Sequence, residues 1–268
     1  MKKRLIALTL AVLLVLALGA CAGKADSKTI KVGATPAPHA EILEVAKEIL
    51  AKEGYTLEIT EFDDYIMPNT AVEEGELDAN YFQHITYMNG YNADNGTHLV
   101  SVGEIHYEPL GLYAGKTDSI DALPDGAQIA VPNDTTNEAR ALLLLEQEGL
   151  LTLAEGAGIN ATVLDIVDNP KNLEFVELEA AQIPTRLADV DMAVINGNYA
   201  MGAGMSIADA LAIESSDGTA ATAYANVVAV KEGNENNEAI LALVEALKSD
   251  EVKAYMEETF QGSVVPLF

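Results

Sequence analysis

Arg140 stands three positions after Asn137 in the stretch VPNDTTNEARALLLLEQEG, residues 131–149. An apolar run ends at Val131, a Pro-containing turn follows, and a helix pattern begins. Thr135 and Glu138 have capping-box spacing, which predicts a helix start near Thr136. Asn137 and Arg140 then share one face of the first turn. A cation there opposes the helix macrodipole at a cost of about a few tenths of a kcal/mol. An anion held between the guanidinium and free backbone N–H groups would reverse that sign, so the pattern fits a carboxylate site. It equally fits an arginine on a solvated face, paired with one of the many acids of this chain.

Two further groups could complete such a site. Residues 78–91, DANYFQHITYMNGY, gather Tyr81, Phe82, His84, Tyr87 and Tyr91 in a chain with five Phe, ten Tyr and no Trp. Aromatic clusters build apolar pockets with polar rims, and a thioether fits such a pocket through sulfur–ring contacts. Ordinary core packing produces the same pattern. Asn196 follows the apolar run Met192 to Ile195, and Asn226 opens another run. A side-chain amide carries both donors and acceptors, which suits a zwitterion; turn chemistry also favours Asn.

Enzyme signatures are missing: there is no G-x-S-x-G, H-E-x-x-H, P-loop or G-x-G-x-x-G. The four histidines, His39, His84, His98 and His106, are scattered without ligand spacing, so neither a metal nor a cofactor is expected.

The elements that must position these residues alternate. Strands are predicted at 29–34, 56–60, 98–103, 107–114, 128–131, 174–178, 191–195 and 226–230. Helices are predicted after Pro38, at 68–75, 136–148, 179–188, 235–248 and 250–260. Strands separated by helices indicate a parallel α/β sheet, and two such cycles with a C-terminal return indicate two lobes. The first lobe is read as 29–115 plus 226–268 and the second as 116–225, with crossings near 112–118 and 221–227. Ligands of open α/β sheets bind beyond the carboxyl ends of strands, here just after Ala34, Val131 and Ile195.

The N-terminus addresses the chain elsewhere. Lys2, Lys3 and Arg4 precede an apolar stretch from Leu5 to Leu18, too short and too close to small residues to be a good membrane span. Leu18-Gly19-Ala20-Cys21 has the form of a lipobox, and Cys21 is the only cysteine of the chain. Residues 1–20 are read as a signal peptide and 21–28 as a lipidated tether, with lipid on Cys21 holding the protein to a membrane at its extracytoplasmic face. Cleavage leaves twelve Lys and Arg against forty-two Asp and Glu, a net charge of −30. Such a surface repels nucleic acid.

Several long, ordered stretches resemble the methionine-binding lipoproteins of ABC importers, the NlpA or MetQ-type family. They are FDDYIMPNTAV at 62–72, LDANYFQHITY at 77–87, IAVPNDTTNEARALLLL at 129–145, VLDIVDNPKNLEFVELEAAQIP at 163–184 and AVINGNYA at 193–200. The resemblance runs from about Ile30 to Val265. It implies a two-lobed periplasmic-binding-protein fold, type II-like, with ligand in the cleft between lobes, and docking onto an importer permease. It implies that Arg140 pairs with the ligand carboxylate with support from Asn137. Asn196 and Asn226 would bind the amino-acid head group, and Tyr65, Phe82, His84 and Tyr87 would line the side-chain pocket. Gly197-Asn198 stands where other members carry small hydroxyl residues. The ligand implied is L-methionine; a related ligand (D-methionine, methionine sulfoxide or a methionine-containing dipeptide) is the alternative, followed by a metal-binding or adhesion lipoprotein.

Overall fold

The computed structural model describes residues 28–215 and 222–268; the signal, the lipobox and Cys21 lie outside the described residues. The first half-sheet is built by β1 (Thr29–Ala34), helix α1 (Glu41–Lys52), β2 (Thr56–Glu61), α2 (Met67–Glu74), β3 (Ala79–His84), α3 (Ile85–Asn95) and β4 (Leu99–Tyr107). α1 forms where apolar side chains recur at helical spacing: Ile42, Leu43, Ala46 and Leu50 are fully buried or nearly so. It ends where Gly54 takes a left-handed φ of 83°, a conformation open to glycine without a Cβ clash.

After β4 the chain leaves for a second sheet: β5 (Gly111–Ala114), β6 (Gln128–Pro132), α4 (Thr135–Gln147), a small hairpin of β7 (Thr152–Leu153) and β8 (Ile166–Asp168), then β9 (Glu174–Leu178), α5 (Ile183–Arg186), β10 (Met192–Ile195), α6 (Gly197–Gly202) and β11 (Ala212–Ile213). It returns through β12 (Ala225–Lys231), α7 (Glu238–Leu247), α8 (Asp250–Phe260) and β13 (Val265–Pro266). The sheet orders are β13-β4-β12-β3-β1-β2 and β11-β5-β10-β6-β9.

Neither sheet is purely parallel, contrary to the sequence expectation. β1 pairs in parallel with β2 and β3, and β6 with β9 and β10, whereas β12 runs antiparallel to both β3 and β4. The reason lies in the crossings. β4 carries the chain out at Tyr107 and β12 brings it back opposite that residue, Ala225 facing Tyr107, so the returning strand must run the other way. The run read as one strand at 107–114 is interrupted at 108–110, and Gly111–Ala114 already belongs to the second sheet. The first crossing therefore falls just before the 112–118 segment read from sequence. The segment read as a helix at 179–188 is likewise broken, into α5 flanked by single 3-10 turns.

Each sheet has its own core. Val228 and Val230 of β12 join the cluster under α1 and α7, while Val227 and Ala229 face the opposite cluster with Val72 and Met88. That two-residue alternation with both faces covered explains why β12 reads as a continuous apolar run. A second core packs α4 against β6 through Leu142, Leu145, Ile129 and Val131. Among the described residues no helix is long and apolar enough to cross a membrane.

Candidate functional site

The carboxyl ends of β1, β6 and β10 each deliver a turn to one region between the two sheets, as the switch-point argument requires. One narrow cavity there, partly open to solvent, is bordered by Tyr65, Phe82, His84 and Tyr87 on the side of the first sheet. Asn137, Arg140 and Asn196 border it from the second sheet, and Asn226 from the returning strand. The eight residues to which the resemblance gives binding roles therefore meet around one space, whereas Tyr81 and Tyr91 of the aromatic cluster do not border it. Glu108, Gly197 and Asn198 border it too, and these the sequence reading missed as site residues.

The helix bearing Arg140 is not capped as expected. Asp134, not Thr135, is the N-cap: its carboxylate accepts the Asn137 backbone N–H at 3.0 Å, the Asn137 side-chain amide at 2.9 and 3.0 Å, and the Thr136 hydroxyl at 3.1 Å. Glu138 instead accepts the Val163 N–H at 2.9 Å. An acid at this end also favours the macrodipole, so the N–H group that an outside anion was expected to meet already has its partner.

Arg140 is buried, with an internal counter-ion that no sequence signal announced. Its Nε donates to Glu214 Oε2 at 2.8 Å, and its Nη2 donates to Glu214 Oε1 and, at 2.8 Å, to the Glu108 carbonyl. Tyr224 stacks beneath it, 4.2 Å from guanidinium carbon to ring centre. Burial opposes the guanidinium charge, but Glu214 and the two neighbouring tyrosines, Tyr107 and Tyr224, leave its pKa raised. These bonds run through Nε and Nη2; Nη1 takes no part in them.

Asn137 is fully engaged as a positioning residue: its Oδ1 accepts from His84 Nε2 at 3.3 Å and from the Asn196 amide at 2.8 Å. His84 caps α3, its Nδ1 accepting the Tyr87 N–H at 3.0 Å, which makes Nε2 the protonated nitrogen. Burial, followed by the charge of Arg140, lowers its pKa to about 3, so the ring is neutral. Two polar atoms on the cavity-bordering residues are buried without any partner, Asn196 Oδ1 and Asn198 Nδ2. Buried groups of this kind are nearly always satisfied, so an unpaired acceptor and an unpaired donor on residues that border one cavity mark a place for a polar ligand.

The aromatic wall is a connected stack. Tyr65 lies 5.8 Å from Phe82, 5.5 Å from Tyr87 and 4.9 Å from Tyr199, between ring centres. The Tyr65 hydroxyl donates to Asn198 Oδ1 at 2.5 Å, and Tyr199 donates to the Asp63 carbonyl at 3.1 Å. Both bonds span the cleft.

Histidines that looked scattered along the chain are partly gathered by the fold. His39 and His106 lie in one buried group with Glu108, whose Oε1 is 2.8 Å from His106 Nε2 and 3.3 Å from His39 Nε2. Gly197 is needed beside this group, since a Cβ there would sit 2.8 Å from Glu108 Oε2.

Comparison with known proteins agrees with this geometry. The family model described as NlpA lipoprotein matches residues 30–268. The D-methionine-binding lipoprotein MetQ of Salmonella typhimurium is 43% identical over 256 residues, covering 93% of each chain. A crystal structure of a lipoprotein from Ruminococcus gnavus is 60% identical with a TM-score of 0.89, covering 90% of this chain and 100% of that one. A nutrient-binding protein from Burkholderia cenocepacia, solved bound to methionine, is 44% identical with a TM-score of 0.85, covering 89% and 100%. The two-lobed periplasmic-binding fold expected from the sequence is the fold of these neighbours. The chain belongs to the NlpA lipoprotein family, which comprises substrate-binding proteins of ABC importers and not enzymes.

Proposed function

We propose that this chain captures L-methionine in the cleft between its sheets and delivers it to the permease of an ABC importer. One observation carries the reading: an unpaired buried acceptor, Asn196 Oδ1, and an unpaired buried donor, Asn198 Nδ2, border the same cavity as Arg140 and an aromatic wall. An α-amino acid offers the matching set, with donors on its ammonium, acceptors on its carboxylate and an apolar side chain for the aromatic wall. The thioether selects methionine within that class, because sulfur contacts ring edges favourably. Lipid on Cys21 holds the protein at the extracytoplasmic face of a membrane, where the captured ligand meets the permease.

D-Methionine is the second reading, favoured by relatives whose names specify that enantiomer. Titration calorimetry on unfolded and refolded protein, with L-methionine, D-methionine, methionine sulfoxide and a methionine-containing dipeptide, tests both. Tightest binding of L-methionine supports the proposal; a clear preference for D-methionine replaces it with the second reading. Binding of none of the four overturns both.

A further inference from the structure

Tyr199 follows Asn198 on α6 but does not border the ligand cavity. It borders two depressions outside that cavity, and each of them reaches the cavity wall. One shares Tyr65 and Tyr87 with the cavity, and the other shares Asn198. Both depressions are lined from the two sides of the cleft, by Asp63 or Asp64 of the first lobe and by Ala181 and Tyr199 of the second. Tyr199 therefore stands at the mouth of the cleft, outside the residues that would touch a ligand.

The bonds across this mouth are reciprocal. The Tyr199 hydroxyl donates to the Asp63 carbonyl at 3.1 Å, and the Tyr65 hydroxyl donates to Asn198 Oδ1 at 2.5 Å. Each lobe thus gives one tyrosine and one acceptor, and the two rings lie 4.9 Å apart at 33°. The first-lobe segment is itself fixed. Asp64 accepts the Ile66 and Met67 N–H groups at 2.7 and 2.8 Å, and the Tyr87 hydroxyl donates to the Tyr65 carbonyl at 3.2 Å. A segment pinned in this way does not swing aside by itself, so the bonds break when the lobes part. Burial first, then neighbouring acidic groups, pushes both phenols above their ordinary pKa, so both hydroxyls stay donors at physiological pH.

We infer that Tyr199 is a gate on the cleft, a positioning residue whose bond to Asp63 and stacking on Tyr65 set how fast methionine enters and leaves but not how tightly it is held. The bond and the ring contact use protein atoms alone, so they are the same with the cleft empty or filled. An interaction equal in both states shifts no equilibrium between them. It must nevertheless break each time a ligand passes, so it adds to the barrier in both directions. The inference rests on the proposed function above and concerns the rate of exchange at that site.

The test measures release of radiolabelled L-methionine, chased with unlabelled methionine, from wild type, Tyr199→Phe and Tyr199→Ala. Calorimetry gives Kd for each protein, and the two together give the association rate. Loss of one hydrogen bond in Tyr199→Phe should speed release and association alike by about fivefold. Loss of the ring contact as well in Tyr199→Ala should raise both by about thirtyfold. Kd should stay within about threefold of wild type in both variants. Release unchanged in Tyr199→Phe would overturn the inference. So would release that quickens while association does not, because affinity then falls in step and Tyr199 is a binding contact. Tyr199→Phe removes a single oxygen atom from a half-buried side chain, so it carries the comparison should Tyr199→Ala not fold. If wild type binds methionine and the variants exchange it no faster, only the inference fails; if wild type binds no methionine, the proposed function fails and the inference with it.

Discussion

Glu214 holds Arg140 from across the second sheet, seventy-four residues away in sequence, through Nε and Nη2 of the guanidinium. The same carboxylate accepts the Tyr107 hydroxyl at 2.6 Å and the Leu110 N–H at 2.7 Å, both at the crossing between the sheets. The guanidinium is thus aimed by an acid that also pins the crossing strand, so Arg140 has a structural duty beside the binding role proposed for it.

Arg140→Ala is expected to lower methionine affinity by about 2–5 kcal/mol, roughly thirtyfold to several thousandfold, because a desolvated charge pair loses one member. It also leaves Glu214 buried without its cation, which lowers ligand-free stability by about 3–5 kcal/mol. Arg140→Lys should restore part of the stability and less of the affinity, since an ammonium cannot reproduce the planar fork. Calorimetry and urea unfolding measure the two separately; affinity within about threefold of wild type for Arg140→Ala would reduce the residue to its structural duty.

Asn196→Ala separates ligand binding from folding. The unpaired Oδ1 is a cost in the ligand-free protein, so removing it offsets the lost bond to Asn137. Ligand-free stability should change by less than about 1 kcal/mol, while affinity falls by about 1–3 kcal/mol. A stability loss as large as the affinity loss would mean that the amide serves the fold.

Tyr65→Phe removes the hydrogen bond from Tyr65 to Asn198 across the cleft and leaves Asn198 without that partner. The ligand-free protein should open, and small-angle scattering should show a larger radius of gyration than wild type, with saturating methionine restoring compaction. Identical scattering with and without ligand in both proteins would count against a hinged cleft.

Acid should destabilise the fold through its buried imidazoles. His39, His84 and His106 are held at about 4, 3 and 3, all below the usual histidine value and all first through burial. In the unfolded chain they protonate near about 6.5, so below that pH the unfolded state binds more protons and stability falls. Their contribution is complete above about 6.5 and declines as pH drops toward the folded values, by up to about 1.4 kcal/mol per pH unit for each ring. Glu108 and Asp134, whose carboxyls burial raises, work in the opposite sense at the acid end. Urea midpoints at neutral and acidic pH should show the decline, and His84→Gln should flatten it by about one proton; an unchanged slope would contradict the buried neutral ring.

Cys21→Ser should abolish metabolic labelling with palmitate and leave the protein uncleaved or released. Equal labelling of variant and wild type would remove lipid from Cys21.

The sequence by itself determined the local pieces. Apolar spacing placed α1 and α4, the run 226–230 placed β12, and the ordered stretches around Phe82, Arg140 and Asn196 placed the residues that border the cavity. Those signals are local, because a helix face or a strand end is written within a few neighbouring residues. Asp134 as the cap of α4 was also within reach, one position before the Thr135 that matched a two-residue pattern. Only the tertiary structure decided the charges of the site. Glu214 and Glu108 look like any two of forty-two acids until crossing strands carry one beneath Arg140 and the other between His39 and His106. Strand direction was decided there too, since β12 is antiparallel because the chain must re-enter beside the strand by which it left. Desolvation, which turns ordinary side chains into paired or unpaired charges, belongs to the packed molecule, and no residue's own neighbours in sequence specify it.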